Sequence, residues 1–194
     1  AGTGQVEKVW PAAQVKPELS SVVIDNQGKQ QVWGGLYWQY FEDLDQITPA
    51  MGPLSVEKQL FLVKQTATGE TLQDIGKGTP IKVGDLVRVR MVLKSDRAME
   101  FIHLKDMRAS GFEPVNVLSG YRWKGRLGYY ESTRDAATNF FIEYLPEGTF
   151  VFEYDLRANN AGDFSNGITS IQNMYAPEFS SHREGIRLVI KNEE

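Results

Sequence analysis

Few side chains in this sequence have the types and spacing needed for acid–base, nucleophilic or metal chemistry. The 194 residues include no cysteine, which excludes thiol nucleophiles, disulfides and cysteine-ligated zinc. The two histidines, His103 and His182, lie in different segments. We therefore expect each of them to be structural or exposed rather than a metal ligand.

The carboxylates form no recognisable catalytic set either. A glycosidase needs two carboxyl groups held about 5–10 Å apart in a cleft, and the sequence brings no two acids together in this way. Residues 42–45 hold three carboxylates but lack the alternate ligand positions and the glycine of a calcium loop. Residues 76–79 lack phosphate-loop spacing, and no Gly-x-Ser-x-Gly elbow occurs. We predict no enzyme activity, no catalytic residue, no cofactor and no metal site. The scattered candidate acids are Glu131, Asp135, Glu143 and Glu147.

Composition narrows the classes of partner. Hydrophobic residues make up 41% of the chain, charged residues 24%, and the net charge is −4, as in an ordinary globular protein. The sequence contains no cluster of lysine and arginine of the kind that binds nucleic acid, so we do not expect nucleic acid as a partner. No apolar run approaches the roughly 20 residues of a membrane span. The chain starts without a methionine or a signal sequence, so we expect a mature or excised piece of a longer protein.

The elements that position these side chains are predicted to be strands. In the segment 149–157, Phe150, Phe152, Tyr154 and Leu156 alternate with polar residues, which is the period of a half-buried strand. About seven short strands with turns between them predict an all-β, antiparallel β-sandwich. We expect 140–145 and 150–156 to form a hairpin, with Phe140, Ile142 and Tyr144 on one face. The other predicted strands are 56–63, 86–93, 99–104 and 186–190.

The N-terminal part is predicted to be a separate small β segment. Strands are expected at 5–10 and 32–41, and residues 49–53, with two prolines around a glycine, read as a linker. The domains are then 1–48, the linker 49–53, and the sandwich 54–194. The second of these strands is rich in aromatic rings, which either fill a core or form an exposed interface for a sugar or protein. The candidate interface residues are Trp33, Tyr37, Trp38, Tyr40 and Phe41.

Several short motifs, in order, resemble the C-terminal region of bacterial α2-macroglobulin family proteins. The strongest are Tyr154-x-x-Arg157, then Gly162-x-Phe164, then Met174-Tyr175-x-Pro177-Glu178. Upstream, the segments 53–59, 83–89 and 104–114 resemble successive parts of that family's last macroglobulin-like domain. The segment 33–42 is similar to Bacteroides-type members.

The resemblance implies a fold and a role. It implies that 54–194 is a macroglobulin-like β-sandwich and that 1–48 is the return half of a CUB-like module. In this family a large envelope protein is cut at a bait region by a protease and rearranges around it, and some members capture the protease with a Cys-Gln thioester. This chain has no cysteine and no recognisable bait region.

The implied function is that of a non-catalytic C-terminal domain in protease trapping and inhibition. It would act through contacts with other domains of the parent and with a trapped protease. The implied location is the cell envelope, periplasmic or surface-exposed, with no membrane insertion by this segment. The alternative is an exported carbohydrate- or protein-binding β module, which exposed rings would favour. The rings outside the first strands are Trp123, Tyr129 and Tyr130.

Overall fold

The computed structural model describes residue 4 and residues 6–76 and 79–192. The chain divides into two units, one within residues 1–40 and the other within residues 41–194. The second unit holds every strand of the described chain. The strands are β1 (Leu54–Thr66), β2 (Gly69–Asp74), β3 (Ile81–Lys82), β4 (Leu86–Ser95), β5 (Met99–Met107), β6 (Phe112–Pro114), β7 (Gly120–Lys124), β8 (Leu127–Thr133), β9 (Ala137–Leu145), β10 (Gly148–Ala158), β11 (Gly162–Ser165), β12 (Thr169–Asn173), β13 (Ser180–Arg183) and β14 (Arg187–Lys191).

Two large sheets make up the sandwich. One has five strands in the order β2-β1-β4-β10-β6, and the other has six in the order β13-β12-β5-β9-β8-β7. Every neighbouring pair in these two sheets is antiparallel. A small third sheet, β11-β14-β3, contains one parallel pair, β14 with β3. The all-β, antiparallel sandwich predicted from the sequence is confirmed.

The core lies between the inner faces of the two large sheets. On β4 every second residue, from Val87 to Leu93, is fully buried. On the opposite sheet Phe140 is buried, and its ring meets that of Phe152 at a centroid distance of 5.2 Å in an edge-to-face arrangement. Burial of each such side chain stabilises the fold by about 1.5–3 kcal/mol. The predicted inner face of β10 is confirmed, because Phe152 and Leu156 are buried and Phe150 and Tyr154 pack against the core.

The predicted hairpin between β9 and β10 is wrong. Only Pro146 and Glu147 separate the two strands, yet β9 pairs with β5 and β8 whereas β10 pairs with β4 and β6. The tight turn therefore carries the chain from one sheet to the other. Two antiparallel strands joined by a short loop can pair within one sheet or lie in two different sheets. The inner-facing side chains of β9 and β10 are buried only when the two sheets face each other.

The first unit differs from the prediction of a small β segment. Residues 6–40 contain two 3-10 turns, Ala12–Gln14 and Pro17–Ser20, and no strand. The strands predicted at 5–10 and 32–41 do not form in the described residues, and residue 5 lies outside them. A strand needs a partner strand to pair its backbone groups, and residues 6–40 contain no other strand that could pair with either segment. The CUB-like assignment and the domain boundaries stay predictions.

Candidate interaction surface

The five aromatic residues predicted as an interface are all exposed. The exposed fraction is 87% for Trp33 and 88% for Tyr37, and Trp38, Tyr40 and Phe41 are also mostly exposed. Within the described residues these rings are therefore exposed rather than packed in a core. Their role in binding a partner stays a prediction.

A second group of exposed rings arises from an irregularity in β5. Phe101 has a φ of 55° and is the one residue other than glycine with a positive φ in the part of the chain that the structure describes. The strand alternation breaks at this point: Met99 and Ile102 are both buried, and the two residues between them both face outward. The ring of Phe101 is consequently 42% exposed.

The neighbouring strand β9 breaks its alternation at the same level. Ile142 and Leu145 are buried, and they pair with Ile102 and Met99. Tyr144, predicted to share the inner face with Ile142, is instead 55% exposed. The prediction failed because the irregular pair of strands turns this residue outward, which no local alternation indicates.

The turn after β12 supplies the third ring and is fixed by one asparagine. The Asn173 side-chain oxygen accepts hydrogen bonds from the backbone N–H groups of Tyr175 and Ala176, both at 3.0 Å. Its amide group donates to the Glu100 carbonyl at 3.1 Å. The Met174 N–H donates to the Phe101 carbonyl at 2.9 Å. The turn is thus attached to β5 where that strand is irregular.

The three rings line a shallow depression of about 570 Å³, which we call the aromatic depression and define by Phe101, Tyr144 and Tyr175. The rings of Phe101 and Tyr175 meet edge to face, with centroids 5.0 Å apart and planes 80° apart. Tyr175 is 80% exposed. Glu100 also lines the depression and lies directly opposite Tyr144 in the strand pair. This surface is open, aromatic and acidic.

A row of rings crosses the outer face of the six-stranded sheet. Tyr121 meets Tyr130 edge to face at 5.1 Å, and Tyr130 pairs with Phe141 on the next strand. Phe141 stacks on His103 at 4.7 Å, and the His103 Nε2 lies 3.0 Å from the Asn139 side-chain oxygen. His103 is thus part of a packed surface row. His182 lies on β13, with its Nε2 3.0 Å from the Thr48 carbonyl oxygen.

The sandwich also contains a buried polar network that sequence reasoning missed. The Asp106 carboxylate accepts hydrogen bonds from the Lys58 Nζ at 2.6 Å, the Tyr154 hydroxyl at 2.5 Å and the Thr169 hydroxyl. Lys58 and Tyr154 belong to one sheet, Asp106 and Thr169 to the other. Burial and the charge of Asp106 raise the pKa of Tyr154 well above its usual value. The sequence signal for this network is a polar residue at each of positions 58, 106 and 169, which lie on the inner faces of otherwise apolar strands.

Arg108 extends this network toward the loop before β9. Its guanidinium donates to the Thr138 hydroxyl at 3.3 Å and to the backbone carbonyls of Arg134 and Asp135. Burial lowers the pKa of Arg108. Asp106, Lys58 and Thr169 are buried, and the hydrogen bonds of Asp106 to Lys58 and Tyr154 connect the two sheets.

Among the described residues, no three or more histidine, cysteine, aspartate or glutamate side chains are grouped so that they could hold a metal ion. Lys77 and Gly78 of the phosphate-loop-like segment lie outside the described residues. No helix in residues 6–76 or 79–192 is long and apolar enough to cross a membrane.

Comparison with known proteins identifies similar sequences and folds. The family model for the bacterial alpha-2-macroglobulin MG10 domain matches residues 54–178. A native Escherichia coli alpha-2-macroglobulin structure, spanning domain MG7 to the C-terminus, is 15% identical with a TM-score of 0.58 and covers 76% of this chain and 25% of that chain. Salmonella alpha-2-macroglobulin reacted with methylamine is 20% identical with a TM-score of 0.57, covering 75% and 10%. At such identities the structural likeness shows a shared fold.

Among curated proteins, circularly permutated Ras protein 2 of Dictyostelium discoideum is 24% identical over 110 residues, which is 57% of this chain and 3% of that protein. The chain therefore spans only a small part of the length of each relative. None of these similarities bears on the Bacteroides type, which stays a prediction.

Proposed function

The chain belongs to the bacterial α2-macroglobulin family through its MG10 domain, and from that premise we propose that it works as a non-catalytic domain of a longer protease-trapping protein. Its role is to contact neighbouring domains of the parent, and a trapped protease when one is present. The parent lies in the cell envelope, periplasmic or surface-exposed. Any thioester of the parent lies outside this chain, which has no cysteine.

The observation that carries this proposal is the aromatic depression. An exposed cluster of aromatic rings on a fixed turn is unusual for a surface that faces only water. A domain within a longer chain buries such rings against its neighbour. The link to proteases is supported by structures of the E. coli relative described as activated by porcine elastase and by trypsin.

Inhibition assays on the parent protein test the proposal. Elastase and trypsin are titrated with the parent, and residual activity is followed with a large protein substrate and a small peptide substrate. A trap excludes the large substrate and admits the small one. We expect the parent to suppress digestion of the large substrate selectively. Unchanged digestion of the large substrate by both proteases would contradict the proposal.

Substitution of Tyr175 by alanine in the parent tests the role of this domain. Since the ring is 80% exposed, its loss should leave the fold of the domain intact while weakening contact with the neighbouring domain. We expect more protease to escape per molecule of parent. Tyr121→Ala removes a similarly exposed ring from the far edge strand and serves as the matched control. Equal trapping by both variants would count against the depression as the contact surface.

The second candidate is an exported module that binds carbohydrate or protein. It is favoured by the exposure of the rings near the N-terminus, foremost Trp33 and Trp38. Titration with polysaccharides, followed by tryptophan fluorescence, tests it. Quenching that is lost in Trp33→Ala would support this function, and unchanged fluorescence with every polysaccharide would exclude carbohydrate as the ligand.

A further inference from the structure

We propose that the aromatic depression binds one cationic side chain, a lysine or arginine carried by another domain of the parent protein. This inference rests on the proposed function, because it names the chemistry of a contact between domains. The faces of aromatic rings carry negative charge density and attract ammonium and guanidinium groups within about 6 Å of the ring centre. Sites that hold such groups often surround them with several rings.

The arrangement of the rings suits a compact group. The planes of Phe101 and Tyr175 stand 80° apart, and both rings line the depression. Tyr144 lines the depression from the neighbouring strand. A flat sugar ring stacks best on rings that share a plane, which these two do not.

The charge of the depression is complementary to a cation. Glu100 lies across the strand pair from Tyr144, at the short separation of directly opposed residues. Within the described residues its carboxylate makes no salt bridge. No lysine or arginine of the described ranges lines the depression. An anionic ligand would therefore meet a negative charge and find no basic side chain.

The walls are fixed before any ligand arrives. Phe101 is held at a positive φ, a conformation that a bulky residue keeps only where its surroundings impose it. The Met174 N–H holds the Phe101 carbonyl, and Asn173 holds the backbone of Tyr175. Such preorganisation reduces the entropy lost when a ligand binds. Backbone strain of this kind is concentrated at binding and catalytic sites.

Titration of the 194-residue chain with small probes tests the inference. The cationic probe is Nα-acetyl-lysine methylamide, the neutral one is Nα-acetyl-norleucine methylamide, and binding is followed by amide NMR shifts. We expect saturable shifts confined to residues 98–101, 144 and 173–176, with a Kd in the millimolar range, as suits a single side chain. The neutral probe should bind about five-fold more weakly.

Variants assign the effect to the named groups. Tyr175→Ala should abolish saturable binding, whereas Tyr175→Phe keeps the ring and should retain it. Glu100→Gln should weaken the cationic probe about three-fold and leave the neutral probe unchanged, because only the cation senses the carboxylate. Tyr121→Ala, on the opposite edge of the sheet, should behave as the wild type. The dispersion of the same spectra shows whether each variant is folded.

Two results would overturn the inference. Equal affinity for both probes would show an apolar depression with no preference for charge. If neither probe gives saturable shifts at a probe concentration 100-fold above the expected Kd, the depression is not a binding site. Either result would leave protease trapping by the parent to be judged by its own assay, so the two proposals fail separately.

Discussion

Asp106 is the residue on which the polar part of the core depends. Three donors from three other strands meet its carboxylate: Lys58, Tyr154 and Thr169. The side chains of Lys58 and Asp106 are 1% and 0% exposed. A buried ion pair of this kind adds little net stability over an apolar pair, but breaking it by removing one partner is costly.

Replacement of Asp106 by alanine is expected to lower the free energy of unfolding by about 3–5 kcal/mol, because the Lys58 ammonium is left buried without its counter-charge. Urea denaturation of the chain measures this change. The matched control is Asp96→Ala, which removes a carboxylate from the exposed Asp96–Arg97 pair and should leave the midpoint unchanged. A similar small effect in both variants would show that Lys58 reaches water.

Tyr154 should make the fold sensitive to alkaline pH. Its pKa in the folded state is raised well above the ordinary value by burial and by Asp106. A raised pKa means that the folded state keeps a proton which the unfolded state loses above about pH 10. The contribution is complete below pH 10 and is lost as pH rises toward the raised pKa, at about 1.4 kcal/mol per pH unit.

The measurement is the free energy of unfolding in urea between pH 9 and pH 11.5, compared with Tyr154→Phe. The variant lacks the ionising group, so its stability should fall less steeply above pH 10, although it is less stable at neutral pH because Asp106 loses a donor. Parallel pH dependence in the two proteins would mean that Tyr154 ionises equally in both states.

At the scale of elements, the main strands of the sandwich and the inner face of β10 could be predicted, whereas the pairing partners of the strands could not. The alternation of apolar and polar residues in β10 correctly predicted that Phe152 and Leu156 are buried, because successive side chains of a strand point to opposite faces of the sheet. The same pattern could not tell that β9 and β10 belong to different sheets. Sheet membership depends on contacts between distant segments, which no local pattern contains.

The turn between β9 and β10 should be sensitive at its glycine. Gly148 has a φ of 135°, a conformation that residues with a side chain rarely adopt. Gly148→Ala is expected to destabilise the fold by about 1–3 kcal/mol. Gly120→Ala is the control, because Gly120 starts a strand without a positive φ and an added Cβ meets nothing there. Thermal unfolding that shifts equally in both variants would contradict this account.

The candidate site was beyond prediction for a related reason. The segment holding Met174 and Tyr175 could be singled out from its sequence alone. The outward orientation of Phe101 and Tyr144 depends on an irregularity shared by two strands that are distant in sequence. Phenylalanine does not favour a positive φ, so tertiary contacts override the local preference at Phe101.

At the scale of the whole molecule, residues 44–50 make backbone hydrogen bonds to the strands of the sandwich. Residues 49–53 were predicted to be a linker, yet Ala50 exchanges two backbone hydrogen bonds with His182, at 3.1 and 3.0 Å. The Leu44 carbonyl accepts a hydrogen bond from the Gly185 N–H. These contacts attach residues 44–50 to the sandwich, and residues 41–194 form one compact unit.

Limited proteolysis should therefore cut first on the N-terminal side of residue 41. Backbone that makes few hydrogen bonds and is exposed is cleaved most readily, and Lys29 lies in such a stretch. We expect trypsin to yield a resistant fragment that begins after Lys29 and retains residues 44–50, as measured by mass spectrometry. First cleavage within the sandwich, for example at Lys64, would contradict this boundary.

Contact through the aromatic depression within a larger α2-macroglobulin-type protein would cover the ring of Tyr175. Hydroxyl-radical footprinting of Tyr175 measures this cover by comparing the isolated chain with the intact parent at equal radical dose. The ring is 80% exposed in the chain alone. We expect oxidation several-fold slower in the parent, because a neighbouring domain covers the ring. Equal oxidation in both would show that the depression faces solvent in the parent and is not a contact surface.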